Sequence, residues 1–347
     1  MGQAARILPN LADDASLVED QEFLPLLNAD GTSNFDGVIN EGTDASIFWT
    51  IYPRGFNVTD QDMTNVLNQG RRLIDTTGRK LFIRLGPEMN GDWFSYGGKP
   101  TQFVALWQRF YTLMQTITPD AALVWAPNYD GCCSNTPYAP YWPGADYVDW
   151  VGISMYWKGF FVDWPWHVNK VPPPDYAQQV IDTGSEGGPV SLYNEYAVKY
   201  NKPFCIAETG AAWGRAFQSD AGVVSAMDPG PGQVAIQMGF WNGFLFNTTF
   251  YKQYPLVKMI QAFEIYKVED GVQRDYRSTF EPTLTPFKAG LAKMDALGLM
   301  AWAKDISQPA TATKGAAATG TPVVTTKSAG FSVGGTFAAL MAVLALI

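Results

Sequence analysis

Between residues 46 and 266 the chain alternates short apolar runs with amphipathic segments, and few architectures accept that pattern. Ser46 to Tyr52 is rich in β-branched and aromatic residues and stops at Pro53, which predicts a strand buried on both faces. Asp60 stands where a helix cap belongs, ahead of Met63, Val66, Leu67, Leu73 and Ile74 at helical spacing. Lys80 to Leu85 predicts a second strand, and Phe103, Leu106, Trp107, Phe110, Leu113 and Met114 mark a second helix. Four further strand candidates are Ala121 to Ala126, Val148 to Ser154, Pro203 to Ala207 and Ile260 to Tyr266. Glu195 to Tyr200 reads as the end of a helix between two of them.

Regular β-α alternation implies a parallel sheet. A doubly wound nucleotide fold places a Gly-rich turn after its first strand, and none follows Tyr52. The expected fold is therefore α/β, a (β/α)8 TIM barrel. Only six of the eight strands can be read, because residues 1–45 hold a helix-like stretch around Leu17 to Leu27 and no convincing strand. The expectation is a barrel lacking its first strands, with an incomplete N-terminus.

Composition narrows the function. Hydrophobic residues are 47% of the chain and charged residues 16%, well under the ~25% of ordinary soluble domains, which argues against disorder. A net charge of −9 makes nucleic acid an improbable ligand, since phosphates call for clustered Lys and Arg. Neutral sugars suit such a surface, and the 12 Trp supply flat faces for stacking against sugar rings as well as material for a core. The three Cys are Cys132 and Cys133, in a loop of small and polar residues, and Cys205 in an apolar run; an odd count specifies no disulfide framework. With His167 as the single His, a zinc site or a His-based nucleophile dyad is not expected, and no cofactor is anticipated.

The chain divides into an unassignable segment 1–45, a catalytic barrel over 46–305, a Thr/Ala/Gly-rich stalk over 306–328, and residues 329–347. Phe337 to Ile347 is wholly apolar and too short to span a bilayer. Small residues, a short spacer and an apolar tail form the pattern of a glycolipid (GPI) anchor signal, with Ser328 the expected attachment site. The stalk reads as disordered. Asn57 and Asn247 open Asn-x-Thr sequons suited to N-glycosylation. These features predict an extracellular, cell-surface monomer whose only membrane contact is the anchor.

Active sites of such barrels lie at the C-terminal ends of the strands, and two acids occupy that position. Glu88 follows KLFIRLGP, and Glu208 follows PFCIA. A carboxylate directly after an apolar strand loses hydration, which shifts its pKa unless a partner compensates. One such Glu has a structural explanation in pairing with Arg84. Two at the same end of one sheet suggest retaining glycosidase chemistry, which needs an acid/base and a nucleophile ~5–5.5 Å apart.

The segment RLGPEMNGDWFSYGG, followed in order by LVWAPN, YWPGADYVDWVGISMYW and KPFCIAETG, resembles glycoside hydrolase family 26, the β-mannanase family, over about residues 46 to 270. The resemblance implies a retaining enzyme with Glu88 as acid/base and Glu208 as nucleophile, acting on β-1,4-linked mannan or a related hemicellulose. It further implies that Arg84 supports the carboxylates, that Tyr156 hydrogen-bonds the nucleophile, and that Trp93 and Trp157 line sugar subsites. Asn90, Asn128 and Asp92 are candidate contacts to sugar hydroxyls. The chain departs from the family where a His usually precedes the acid/base, here Pro87, and where an Asp usually precedes the sixth-strand Tyr by two residues, here Ser154. Those departures, together with the anchor, motivate one alternative, a catalytically silent barrel that binds wall polysaccharide; a wall-remodelling transglycosylase is a further alternative.

Overall fold

The computed structural model describes residues 43–129, 137–184, 190–219 and 222–304, and the backbone of 343–345. In chain order the first elements are β1 (Ile47–Ile51), α1 (Asp60–Thr77), β2 (Leu81–Leu85), α2 (Pro100–Ile117), β3 (Ala121–Trp125), β4 (Trp150–Trp157), α3 (Tyr176–Thr183) and β5 (Phe204–Ala211). There follow β6 (Trp213–Gln218), β7 (Val224–Ala226), α4 (Gln233–Gly243), α5 (Thr248–Gln253), β8 (Val257–Ala262), β9 (Tyr266–Glu269), β10 (Val272–Asp275) and α6 (Leu284–Ala296).

The main sheet runs β1-β2-β3-β4-β5-β8, and every neighbouring pair is parallel. Each new strand is added on the same side as the last. A doubly wound sheet reverses that direction, whereas a TIM barrel never does. Curling is visible in the packing. Phe48 of β1, Val124 of β3 and Cys205 of β5 share one apolar cluster with Ala126, Ala207 and Met259. Side chains from β1, β3 and β5 are not on adjacent strands and meet only across a concave face. The larger core lies on the convex face, where the helices cover it. The fold is thus the predicted parallel TIM-barrel sheet, with six parallel strands among the described residues. Val343–Ala345 adds to β8 in the antiparallel sense.

Local chemistry explains the element ends. Thr59, not Asp60, caps α1: its hydroxyl accepts from the Asp62 N–H while the Asp62 carboxylate accepts from the Thr59 N–H, a reciprocal capping box. Asp60 is the first helical residue. Gly78 closes α1 in the left-handed conformation at φ 66°, and Pro100 opens α2. The Asn247 side chain caps α5 by accepting from the Thr249 N–H. Both sequons therefore overlap helix caps. Asn57 is exposed, while the Asn247 amide nitrogen donates to the Gly243 carbonyl.

Two segments differ from expectation. Glu195 lies in a π-helical turn, Tyr193–Val198. Ile260 to Tyr266 is not one strand: β8 ends at Ala262 and β9 begins at Tyr266. β9 belongs to a second, antiparallel sheet of order β7-β6-β10-β9, formed by the chain that follows β5 and β8. Its strands are short, and β7 and β9 are too exposed for apolar alternation to reveal them. Cys132, Cys133, Ser328 and the stalk lie outside the described residues. No helix among those described is long and apolar enough to cross a membrane.

Glu264, just beyond β8, fastens this end of the sheet to the loop before α6. It accepts from the N–H groups of Ser278 (3.0 Å) and Thr279 (2.8 Å) and from the Thr279 hydroxyl. Burial pushes its pKa up to about 7 against those bonds. The folded state then holds a proton that the unfolded chain releases near the ordinary carboxyl pKa of about 4.3. Stability must fall as pH rises across that interval and level off above about 7. Glu264→Gln is expected to flatten this slope in urea titrations between pH 4 and 8. A second test concerns the concave face, where a Cβ at Gly152 would stand 2.8 Å from the Cys205 sulfur and 3.1 Å from the Ala126 methyl. Gly152→Val is expected to lower unfolding free energy by about 1–3 kcal/mol, read from the same titrations.

Candidate active site

The loop after β2 is built to present one carboxylate. Gly86 turns the chain at φ 52°, and Glu88 itself takes a left-handed φ of 56°, which a non-glycine residue adopts at a cost. The surroundings hold it there. The Glu88 N–H donates to the Ala126 carbonyl at the end of β3 (3.0 Å), and its own carbonyl accepts from the Gly91 N–H (3.0 Å). Asn90 ties the β2 and β3 loops together by donating to the Asn128 carbonyl and accepting the Asn128 N–H, both at 2.8 Å. Gly91 leaves room for a ring: a Cβ there would lie 2.2 Å from the Trp93 indole. Folded over that glycine, the indole N–H donates to Glu88 Oε2 at 2.8 Å.

Glu208 reaches the same place through a bulge. Ile153 pairs with Ile206, but the next residue, Ser154, pairs with Glu208, so Ala207 is one residue extra on β5. In a regular strand Cys205 and Ala207 would face the concave side and Glu208 the convex side. The extra residue resets the alternation and brings Glu208 into the cleft. There the Arg84 guanidinium, from β2, donates to Glu208 Oε2. The Tyr156 hydroxyl, from β4, donates to Oε1 at 2.5 Å. Arg84 is 1% exposed and also donates to the Ser154 hydroxyl, which hydrogen-bonds Glu88 in turn.

Glu88 and Glu208 line one cleft of about 400 Å³, together with Tyr52, Trp93, Asn128, Tyr156 and Trp164 among others. The two acids are held differently. Burial raises the Glu88 pKa, the negative charge of Glu208 raises it further, and Arg84, Ser154 and Trp93 only partly oppose them. Glu208 has a cation on one oxygen and a hydroxyl on the other. Burial and the neighbouring Glu208 also push the Tyr156 hydroxyl far above its ordinary pKa, so it remains a donor. One acid that favours its proton beside one whose charge is compensated is the arrangement that acid-plus-nucleophile chemistry requires.

Of the site residues read from sequence, Glu88, Glu208, Trp93, Tyr156 and Asn128 line the cleft, and Arg84 lies beneath it. Two expectations are corrected. Trp157 is 1% exposed, wedged edge-on against Phe160 and Tyr176, and its indole donates to the Lys170 carbonyl; it belongs to the core. Asn90 is buried in the loop clasp and does not line the cleft. Asp92 is exposed away from the cleft, as is His167, whose ring packs on Phe217. Sequence reading missed Tyr52, Lys158 and Phe263, each the first residue after a strand. The rule that located the two acids, applied to every strand, finds these as well. Trp166, Lys267, Glu269 and Tyr276 carry no such signal, because the loop after β4 and the second sheet bring them in. Among the described residues no group of three or more His, Cys, Asp or Glu could hold a metal ion.

Residues 52–224 match the family model of Glycosyl hydrolase family 26, a span that contains both glutamates. No curated protein matches the chain. Among solved structures it is similar to a GH26 β-mannanase from Bacteroides ovatus, at 16% identity and TM-score 0.37, covering 54% of this chain and 59% of that one. It is also similar to the catalytic domain of a Bacillus sp. GH26 endo-β-1,4-mannanase, at 18% identity and TM-score 0.35, covering 48% and 47%. A Cellulomonas fimi endo-β-1,4-mannanase double mutant gives 15% identity and TM-score 0.36, with 54% and 43% covered. The chain thus spans about half the length of the structures it resembles.

The Trp93 N–H favours the ionised form of Glu88. Trp93→Phe removes that donor, so the Glu88 pKa is expected to rise further. The carboxyl carbon shift of Glu88, followed by NMR across pH, reads the change.

Proposed function

The chain belongs to glycosyl hydrolase family 26, and from that premise we propose that it hydrolyses β-1,4-linked mannan or a related hemicellulose with retention of anomeric configuration. The observation that carries the proposal is the unequal treatment of two glutamates in one cleft. Glu88, with its raised pKa, keeps the proton that the leaving glycosidic oxygen must receive. Glu208, its oxygens oriented by Arg84 and Tyr156, attacks the anomeric carbon and forms a glycosyl-enzyme. Glu88, now deprotonated, then takes a proton from water, whose oxygen displaces Glu208 and restores both groups.

Position supports this reading of the roles as well as protonation. Trp93 is 43% exposed and bonds the Glu88 carboxyl, so an indole face bordering the acid is available for a sugar ring. Tyr156 stands edge-on to Phe263 and Tyr276, which restrains the hydroxyl aimed at Glu208. The family differences at Pro87 and Ser154 support a rival reading, a silent polysaccharide-binding barrel, because both flank the acid. Ser154 nevertheless bridges Arg84 and Glu88.

Reducing ends should appear when the protein is incubated with linear β-1,4-mannan, and the first product observed by NMR should be the β-anomer. Glu88→Gln and Glu208→Gln are each expected to lower kcat by about three orders of magnitude or more. A mannose-configured covalent inhibitor should label Glu208, located by peptide mass spectrometry. Polysaccharide binding with neither turnover nor labelling would replace the hydrolase by the silent barrel. Elongated products in place of shorter ones would mark a transglycosylase.

A further inference from the structure

The rim of the cleft furthest from sequence expectation carries an excess of positive charge. Lys158, the residue after β4, and Lys267 of β9 both line the cavity that holds the glutamates. Their ammonium groups meet the same oxygen, Glu269 Oε1, at 2.9 and 3.3 Å. The other oxygen of Glu269 accepts from the Tyr276 hydroxyl at 2.7 Å and lies 3.4 Å from Arg274 Nε. Arg274 also reaches Asp270 at 3.4 Å. Three cations therefore stand against two carboxylates, in a chain whose net charge is −9.

The lysines are not loose surface groups. Lys158 and Lys267 are 20% and 28% exposed, and their ammonium groups sit 5.3 and 5.2 Å from the ring centres of Trp166 and Phe263, within cation–π range. Each ammonium has three donors, and sharing one oxygen of Glu269 leaves donors over on both. Although burial acts against it, Glu269 is held at about 2 by Lys158 and Lys267, so its own charge is constant over any ordinary pH. The Tyr156 and Tyr276 rings, 5.5 Å apart, separate this cluster from Glu208. A negative group bound by the lysines would thus sit beyond both rings from Glu208, with its charge compensated by the two ammonium groups. Trp164, 61% exposed, borders the same cavity and offers a face for the ring that bears the charge.

We propose that Lys158 and Lys267 form a subsite for a sugar unit bearing a carboxylate, so that the preferred polymer is an acidic, uronate-containing one. The proposal rests on the glycoside hydrolase reading and specifies which substrates of that class the cleft favours. Neutral sugars need no surplus cation, because hydroxyl groups are satisfied by uncharged donors and acceptors. A carboxylate on the chain gains charge-assisted bonds from both ammonium groups.

The test uses Glu88→Gln, an uncharged isostere of the protonated acid, so that ligands bind with little turnover and the cleft charge is unchanged. Calorimetry compares mannohexaose with the same oligosaccharide after oxidation of its primary alcohols to carboxylates. The oxidised ligand is expected to bind about tenfold more tightly at low salt, with the advantage shrinking as salt screens it. Adding Lys158→Gln with Lys267→Gln should bring the ratio of the two affinities close to one, while Lys→Arg at both positions should keep it. A ratio, unlike an absolute affinity, is not moved by a general packing defect. Equal or weaker binding of the oxidised ligand, in a protein that binds the neutral one, overturns this subsite and leaves the hydrolase reading standing. If neither ligand binds, the subsite is overturned, and cleavage of linear mannan by the unaltered protein decides the hydrolase reading separately.

Discussion

A guanidinium with 1% exposure, rising from the concave face of a sheet otherwise lined there by Ala126, Cys205 and Ala207, is a demand the rest of the site must meet. An unpaired charge at such a depth costs several kcal/mol. Arg84 is met by Glu208 and by Ser154, and both have other duties. Glu208 is thereby drawn to the centre of the cleft, where Tyr156 takes its second oxygen. Ser154 extends the contact to Glu88. One buried cation therefore organises residues from β2, β4 and β5. Such a pair adds little net stability, because desolvation consumes most of the attraction. What it contributes is position.

The sheet was legible because its strands are buried on both faces and read as continuous apolar runs, such as Leu81–Leu85 and Ala121–Trp125. The helices were legible from period, as with Met63, Val66, Leu67 and Leu73 on the buried side of α1. The acids were legible because a charged residue at the end of an apolar run has no cheap structural explanation. The second sheet was not legible. β7 is exposed throughout and β9 half-exposed, so neither faces a core that would impose a pattern. Everything that sheet brings to the cleft, Lys267 and Glu269 above all, stayed hidden with it. Trp157 differs for another reason. Successive residues of a strand face opposite sides, and β4 alternates without interruption, so Trp157 joins Val151, Ile153 and Met155 in the core while Tyr156 faces the cleft.

The two positions that depart from family habit are nonetheless integrated. The Pro87 carbonyl accepts from the buried Tyr96 hydroxyl at 2.8 Å, and Ser154 stands between a cation and an acid. A proline before Glu88 contributes no side-chain donor, so the polar environment of that acid is supplied by Trp93 and Ser154. The consequence is an acid tuned from the sides, and not by its predecessor in the chain.

The bulge at Ala207 has an outcome for sequence change that no inspection of the acid itself would suggest. Glu208 faces inward because Ala207 is left out of the pairing and Glu208 stands opposite Ser154 in its place. A strand straightened so that Ala207 took that pairing would leave every polar group of the site chemically intact while turning the carboxylate toward the helical layer. Deleting Ala207 would have no such effect, because the glutamate would then meet Ser154 by regular alternation. Register against the neighbouring strand, as much as the identity of a side chain, is what aims this acid, and a one-residue gap at Ala207 is compatible with it.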